Sequence, residues 1–160
     1  MDTLFAVLHV VSAVFIVGPM AILPMTAMRA VRAGNASQVR TLAKSTNLFA
    51  LLSLLTVVFG FGVLGMSDPK DKFSITSPWI LWSIIAYVIA LGLTLFVVVP
   101  AMRKAADALD ALPTAAPADV STPTAEAAGL ESRGYPAIAA ASGVASLLLL
   151  IVVVLMVWKP

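Results

Sequence analysis

The chain of 160 residues has no cysteine and only one histidine. The first absence excludes disulfides, thiolate metal sites and thiol nucleophiles. The second means that no two histidines of one chain can grip a haem from both faces. Charge is scarce as well. Asp, Glu, Lys and Arg make up 11% of the residues, against about 25% in a soluble domain. The net charge of +2 is too small for a nucleic-acid footprint, so no nucleic acid is expected as a partner. The little charge present avoids four long stretches entirely. No Asp, Glu, Lys or Arg falls within residues 3–28, 46–66, 78–102 or 135–158. Ion-coupled transporters and proton pumps place such groups near the membrane midplane, and no nucleophile–base pair is visible in the pattern. The expectation is therefore a chain that is not an enzyme and holds no cofactor or metal by itself.

What is there is apolar. Hydrophobic residues make up 61% of the chain and the mean hydropathy is +1.03. Each charge-free stretch has roughly 20 residues or more, enough to cross about 30 Å of hydrocarbon at about 1.5 Å per residue. The fold class that follows is all-α: a polytopic membrane protein, one domain over residues 1–160, built as a four-transmembrane-helix bundle. The start Met1-Asp2-Thr3 lacks a positive region, and the apolar run from Leu4 to Met28 is too long for a signal peptide, so the first run reads as a span.

The connections set the orientation. Residues 29–45 carry Arg29, Arg32, Arg40 and Lys44 and no acid; residues 67–77 carry Asp68, Lys70, Asp71 and Lys72 and balance to zero. Arg103 and Lys104 follow the third span and Arg133 precedes the fourth. Positive charge marks the cytoplasmic side, so both termini are expected outside a bacterial inner membrane. Trp79, Trp82 and Trp158 then all lie at the outer interface, where indoles prefer to sit. Pro78 suits the first turn of a helix. Residues 101–112 read as a cytoplasmic extension of the third span, with Leu109 and Leu112 available for a contact. Residues 113–124, rich in Pro, Ala and Thr, read as a linker within the cytoplasmic segment 104–134.

Several smaller patterns carry packing information. Gly60, Gly62 and Gly65 match a dinucleotide fingerprint as a string, but that fingerprint works only between a strand and the start of a helix. Inside a span, glycines instead allow close helix contact. Ala139 with Gly143, and Ser142 with Ser146, have the small-xxx-small spacing that lets membrane helices approach. Pro19 and Pro24 lie inside the first span, where each removes a backbone donor. His9 lies about two turns into that span, and with Ser12 it forms a candidate polar contact to a neighbouring helix. His9 and Met25 are about 24 Å apart along a helix and cannot share a metal, so the span-one methionines read as gap fillers. Pro24 shortly before Met28-Arg29 at the end of the first span is echoed by Pro100 before Met102-Arg103 at the end of the third, as a repeat of two helix pairs would produce.

The run Leu8-His9-Val10-Val11-Ser12-Ala13, followed by Gly18, resembles small bacterial membrane proteins related to the copper-resistance protein D group. The resemblance rests mainly on the first span and implies a four-helix integral membrane protein. Members of the wider group carry further membrane histidines suited to metal or haem; here His9 stands alone. In size and lack of interior chemistry the chain also resembles accessory subunits of actinobacterial respiratory assemblies such as the cytochrome bcc–aa3 supercomplex. The functional expectation is a non-catalytic accessory subunit, with the lipid bilayer and other integral membrane subunits as partners. The alternative is a protein that handles a small molecule, metal or haem through His9.

Overall fold

A computed structural model describes residues 2–66, 77–111 and 125–158, and in the last stretch it describes side chains only from Tyr135 onward. Four helices are long and apolar enough to cross a membrane: span one Thr3–Arg32, span two Ala36–Met66, span three Pro78–Asp110 and span four Tyr135–Trp158. Span four is the main part of a longer helix, Ala125–Trp158. No strand occurs among the described residues. The charge balance of residues 67–76 and the linker at residues 113–124 lie outside them.

The first connection is shorter than the charge pattern implies. Span two begins at Ala36 rather than near Thr46, so Arg40 and Lys44 lie on a helix that extends past the apolar run. Gly34 stops span one. It adopts φ +66, which glycine tolerates without a side-chain clash. The Asn35 N–H then reaches back to the Ala30 carbonyl and the Gly34 N–H to Val31, both at 3.0 Å, forming a Schellman ending. Asn35 next starts span two, its Oδ1 accepting the Gln38 N–H at 3.0 Å. A two-residue signal, Gly34-Asn35, thus closes one helix and opens the next.

Spans one and three each contain one wide turn just before a proline. In span one the π-helical turn Ala13–Val17 ends with the Gly18 N–H bonded to the Ala13 carbonyl, five residues back, and Pro19 follows. In span three the turn Thr94–Val98 ends with the Val99 N–H bonded to Thr94, and Pro100 follows. The cause is the same in both places. Proline offers no N–H to the carbonyl four residues earlier, and its ring crowds that oxygen. Widening the preceding turn relieves the crowding within the helix. The structural echo between the two spans therefore pairs Pro19 with Pro100, rather than Pro24 with Pro100.

The bundle is joined over only part of its height. At the arginine-bearing end, Ala27 and Ala30 of span one, Val39 and Ala43 of span two, Val98, Met102 and Ala106 of span three and Ile138 of span four form one buried cluster. A second layer, Met20, Ala50, Ala90, Ala145 and Leu149, again draws on all four spans. Alanine dominates both layers. In lipid the helices gain little by hiding apolar surface, so close approach and packing hold them. Towards the tryptophan-bearing end the contacts change. Asp2–Ser12 packs on span two, and Pro78–Leu93 packs on span four, while pairs across the two hairpins make few contacts or none. At the level where they part, the Ser53 and Tyr87 hydroxyls meet at 2.6 Å.

The arginine-bearing end is tied by polar contacts. Arg40 Nη2 donates to Asp107 Oδ1 at 2.8 Å and Asp110 Oδ2 at 2.7 Å, two carboxylates one turn apart on the extension of span three. The Arg32 guanidinium lies 4.5 Å over the Tyr135 ring, joining the end of span one to the start of span four. These ties place the first connection and the entry to span four on one side. Trp79 and Trp82 at the start of span three and Trp158 at the end of span four occupy the other side, with Trp82 and Trp158 exposed.

Candidate functional site around His9

His9 stands half-buried in the upper part of span one, facing span two. Its Nδ1 lies 2.8 Å from the Thr56 carbonyl. A carbonyl can only accept, so Nδ1 carries the proton and Nε2 of the neutral ring keeps a free lone pair. Gly60, one turn beyond Thr56, makes the approach feasible. A Cβ there would stand 3.0 Å from His9 Cε1 and 3.2 Å from Nδ1. Gly62 does the same for Phe5, whose ring would come within 2.5 Å of an added Cβ. These two glycines let the tryptophan-side part of span one sit directly on span two. Gly65 does not share this role: nothing lies within 4 Å of its Cβ position, because it falls on the exposed side near the helix end.

Of the hydroxyls next to His9, that of Ser12, buried, is satisfied within its own helix, donating to the His9 carbonyl at 3.0 Å. Thr56 is the exception: its Oγ1 is buried and without a hydrogen-bond partner among the described residues, beside the carbonyl that holds His9. An orphan hydroxyl of this kind is costly in an apolar setting. The site therefore presents a free imidazole nitrogen, able to accept a hydrogen bond or donate its lone pair to a metal, and, on the residue whose carbonyl holds the ring, a hydroxyl able to donate. The geometry fits one side of a ligand sphere, since an imidazole that binds metal commonly gives its other N–H to a backbone carbonyl. Among the described residues no three His, Cys, Asp or Glu come together. A metal or haem at Nε2 would thus need further ligands from elsewhere.

On span four the packing face takes in Ser142 and Ser146 of the small-residue pairs but leaves out Gly143. Ile138, Ser142, Ala145 and Leu149 are buried, at the spacing of one helix face. Ser142 donates to the Ala139 carbonyl of its own helix at 3.3 Å, and Ser146 reaches the Ala21 carbonyl of span one at 3.4 Å. Ala139 is half-buried, but Gly143 is exposed with nothing within 4 Å of its Cβ position. Gly143 therefore lies outside the contact within the chain. Thr56 was not foreseen from sequence, because nothing in the pattern marks one threonine of a span as the neighbour of His9.

Compared with known families, the chain matches a family model described as "Predicted integral membrane protein (DUF2269)" over residues 3–160, a stretch that takes in all four spans. No curated protein and no solved structure matches it.

Proposed function

The chain belongs to this family of predicted integral membrane proteins; beyond that membership, we propose that it is a non-catalytic accessory subunit of a larger assembly in a bacterial inner membrane. The observation that carries the reading is the half-joined bundle. The hairpins share a core at the arginine-bearing end and part towards the tryptophan-bearing end. Helices in lipid are held by intimate contact rather than by hydrophobic burial. Two hairpins that meet over half their height leave helix faces that a neighbouring membrane subunit can cover. In this reading the arginine-bearing end lies in the cytoplasm, by the positive-inside rule. A respiratory assembly of the bcc–aa3 type is the host suggested by the chain's size and charge-free spans. The test is purification in mild detergent under native conditions, with stoichiometric recovery of other integral membrane subunits as the expected result.

One observation favours a second reading. His9 is held in the tautomer that frees Nε2, and the hydroxyl of Thr56, whose carbonyl holds the ring, lacks a partner among the described residues. This arrangement supports a role in binding a small molecule, metal or haem, in keeping with the resemblance of residues 8–18 to the copper-resistance protein D group. A stoichiometric Soret band or bound metal that disappears in His9→Ala would favour this reading over the first.

A further inference from the structure

At the arginine-bearing end a groove of about 500 Å³ runs between spans three and four, within the range of small-molecule sites. Its floor is apolar: Phe96, Val97, Pro100 and Ala108 along span three, with Tyr135 at the entry to span four. Phe96 is 80% exposed, so its ring lies open along the membrane-facing side. Lys104 is the charged residue of the lining. It stands eight residues from Phe96, about 12 Å along the helix. The Arg32 guanidinium, over the Tyr135 ring, adds a second cation at the same end. No acid lines the groove among the described residues, and Asp107 and Asp110, the acids of that helix end, are engaged by Arg40.

We infer that this groove holds one anionic phospholipid, its phosphate at Lys104 and an acyl chain along Phe96, Val97 and Pro100. The occupant follows from charge complementarity combined with shape. A free phosphate would use the cationic end and gain nothing from a long apolar floor. A zwitterionic lipid would use the floor but bring no net charge to Lys104. An anionic lipid uses both, and basic pockets between membrane helices are suited to such headgroups. The site is independent of whether the chain is an accessory subunit.

The test uses the full chain, purified in neutral detergent and examined by native mass spectrometry with phosphatidylglycerol or phosphatidylcholine of identical chains. Phosphatidylglycerol is expected to be retained at one per chain and phosphatidylcholine much less. Lys104→Glu is expected to lower that retention by at least about fivefold, while Lys44→Glu, an equal charge change on span two, leaves it unaltered. Ala108→Trp fills the groove without changing charge and is expected to expel the lipid. Millimolar inorganic phosphate is expected not to displace it. Equal retention of the two lipids, an equal loss in Lys44→Glu, or displacement by phosphate would each overturn the assignment. If only a variant lacking residues 113–124 retained the lipid, the chain's own linker would be the occupant and the assignment would again be wrong.

Discussion

Ser142→Leu and Gly143→Leu change neighbouring residues of one helix and are expected to behave oppositely. Ser142 is 3% exposed on the face of span four that meets the bundle. Leucine there adds two heavy atoms to a closely packed contact, which costs about 1–3 kcal/mol in well-packed interiors. The serine hydroxyl bonds only within its own helix, so its loss adds little. At Gly143 an added Cβ meets nothing within 4 Å. Replacing glycine in a helix interior recovers up to about 0.8 kcal/mol of propensity. The two variants of the isolated chain should therefore differ by about 1–4 kcal/mol, with Ser142→Leu the less stable. Unfolding by SDS in mixed micelles, followed by circular dichroism, measures the difference. A Gly143→Leu chain as unstable as Ser142→Leu would refute the assigned packing face and restore the Ala139–Gly143 pair as the contact.

Three further outcomes follow from particular contacts. His9→Ala should cost about 0.6–1.7 kcal/mol in the same SDS unfolding assay, from the average to the maximum found for hydrogen bonds between membrane helices. Gly60→Leu should destabilise the parent chain but be tolerated in the His9→Ala background; an equal cost in both would remove the ring-to-glycine contact. Arg40→Gln should lower the melting temperature at low ionic strength, and the deficit should vanish near 1 M salt, where screening acts over about 3 Å; a deficit independent of salt would show that Arg40 acts through packing. In this cysteine-free chain, Ser37→Cys should resist an impermeant thiol reagent applied from outside the cell and react once the membrane is opened; labelling from outside would invert the proposed orientation.

The helical class and the four spans were legible because apolar length is a coarse and strong signal. Two residues account for most of what was misplaced along the chain. Gly34-Asn35 is a complete stop-and-start signal, yet the basic residues around it suggest a long loop, whereas the helices continue past the apolar runs to Arg32 and from Ala36. On span four, small residues occupy more than one face, from Ala137 to Ser146, so spacing alone could not select Ser142 and Ala145 over Ala139 and Gly143. At Gly60 and Gly62 a side chain would collide with span one. Which residues they met, His9 and Phe5, depends on how the helices cross, and no periodicity within one helix contains that. The proline-driven wide turns were half legible: Pro19 announced a disturbance in span one, but Pro100 was noted only as part of a sequence echo. The orphan hydroxyl of Thr56 became visible only once span one was placed against span two.

The central claim is that this chain works as a subunit rather than alone. The most direct measurement is native purification of the tagged chain at its normal level in mild detergent, with quantitative mass spectrometry and an absorption spectrum of the same fraction. A subunit is expected to be recovered at a fixed ratio with other integral membrane subunits, with any haem in the fraction unaffected by His9→Ala. A chain that migrates as a free monomer, or one that carries stoichiometric haem lost in His9→Ala, would contradict it.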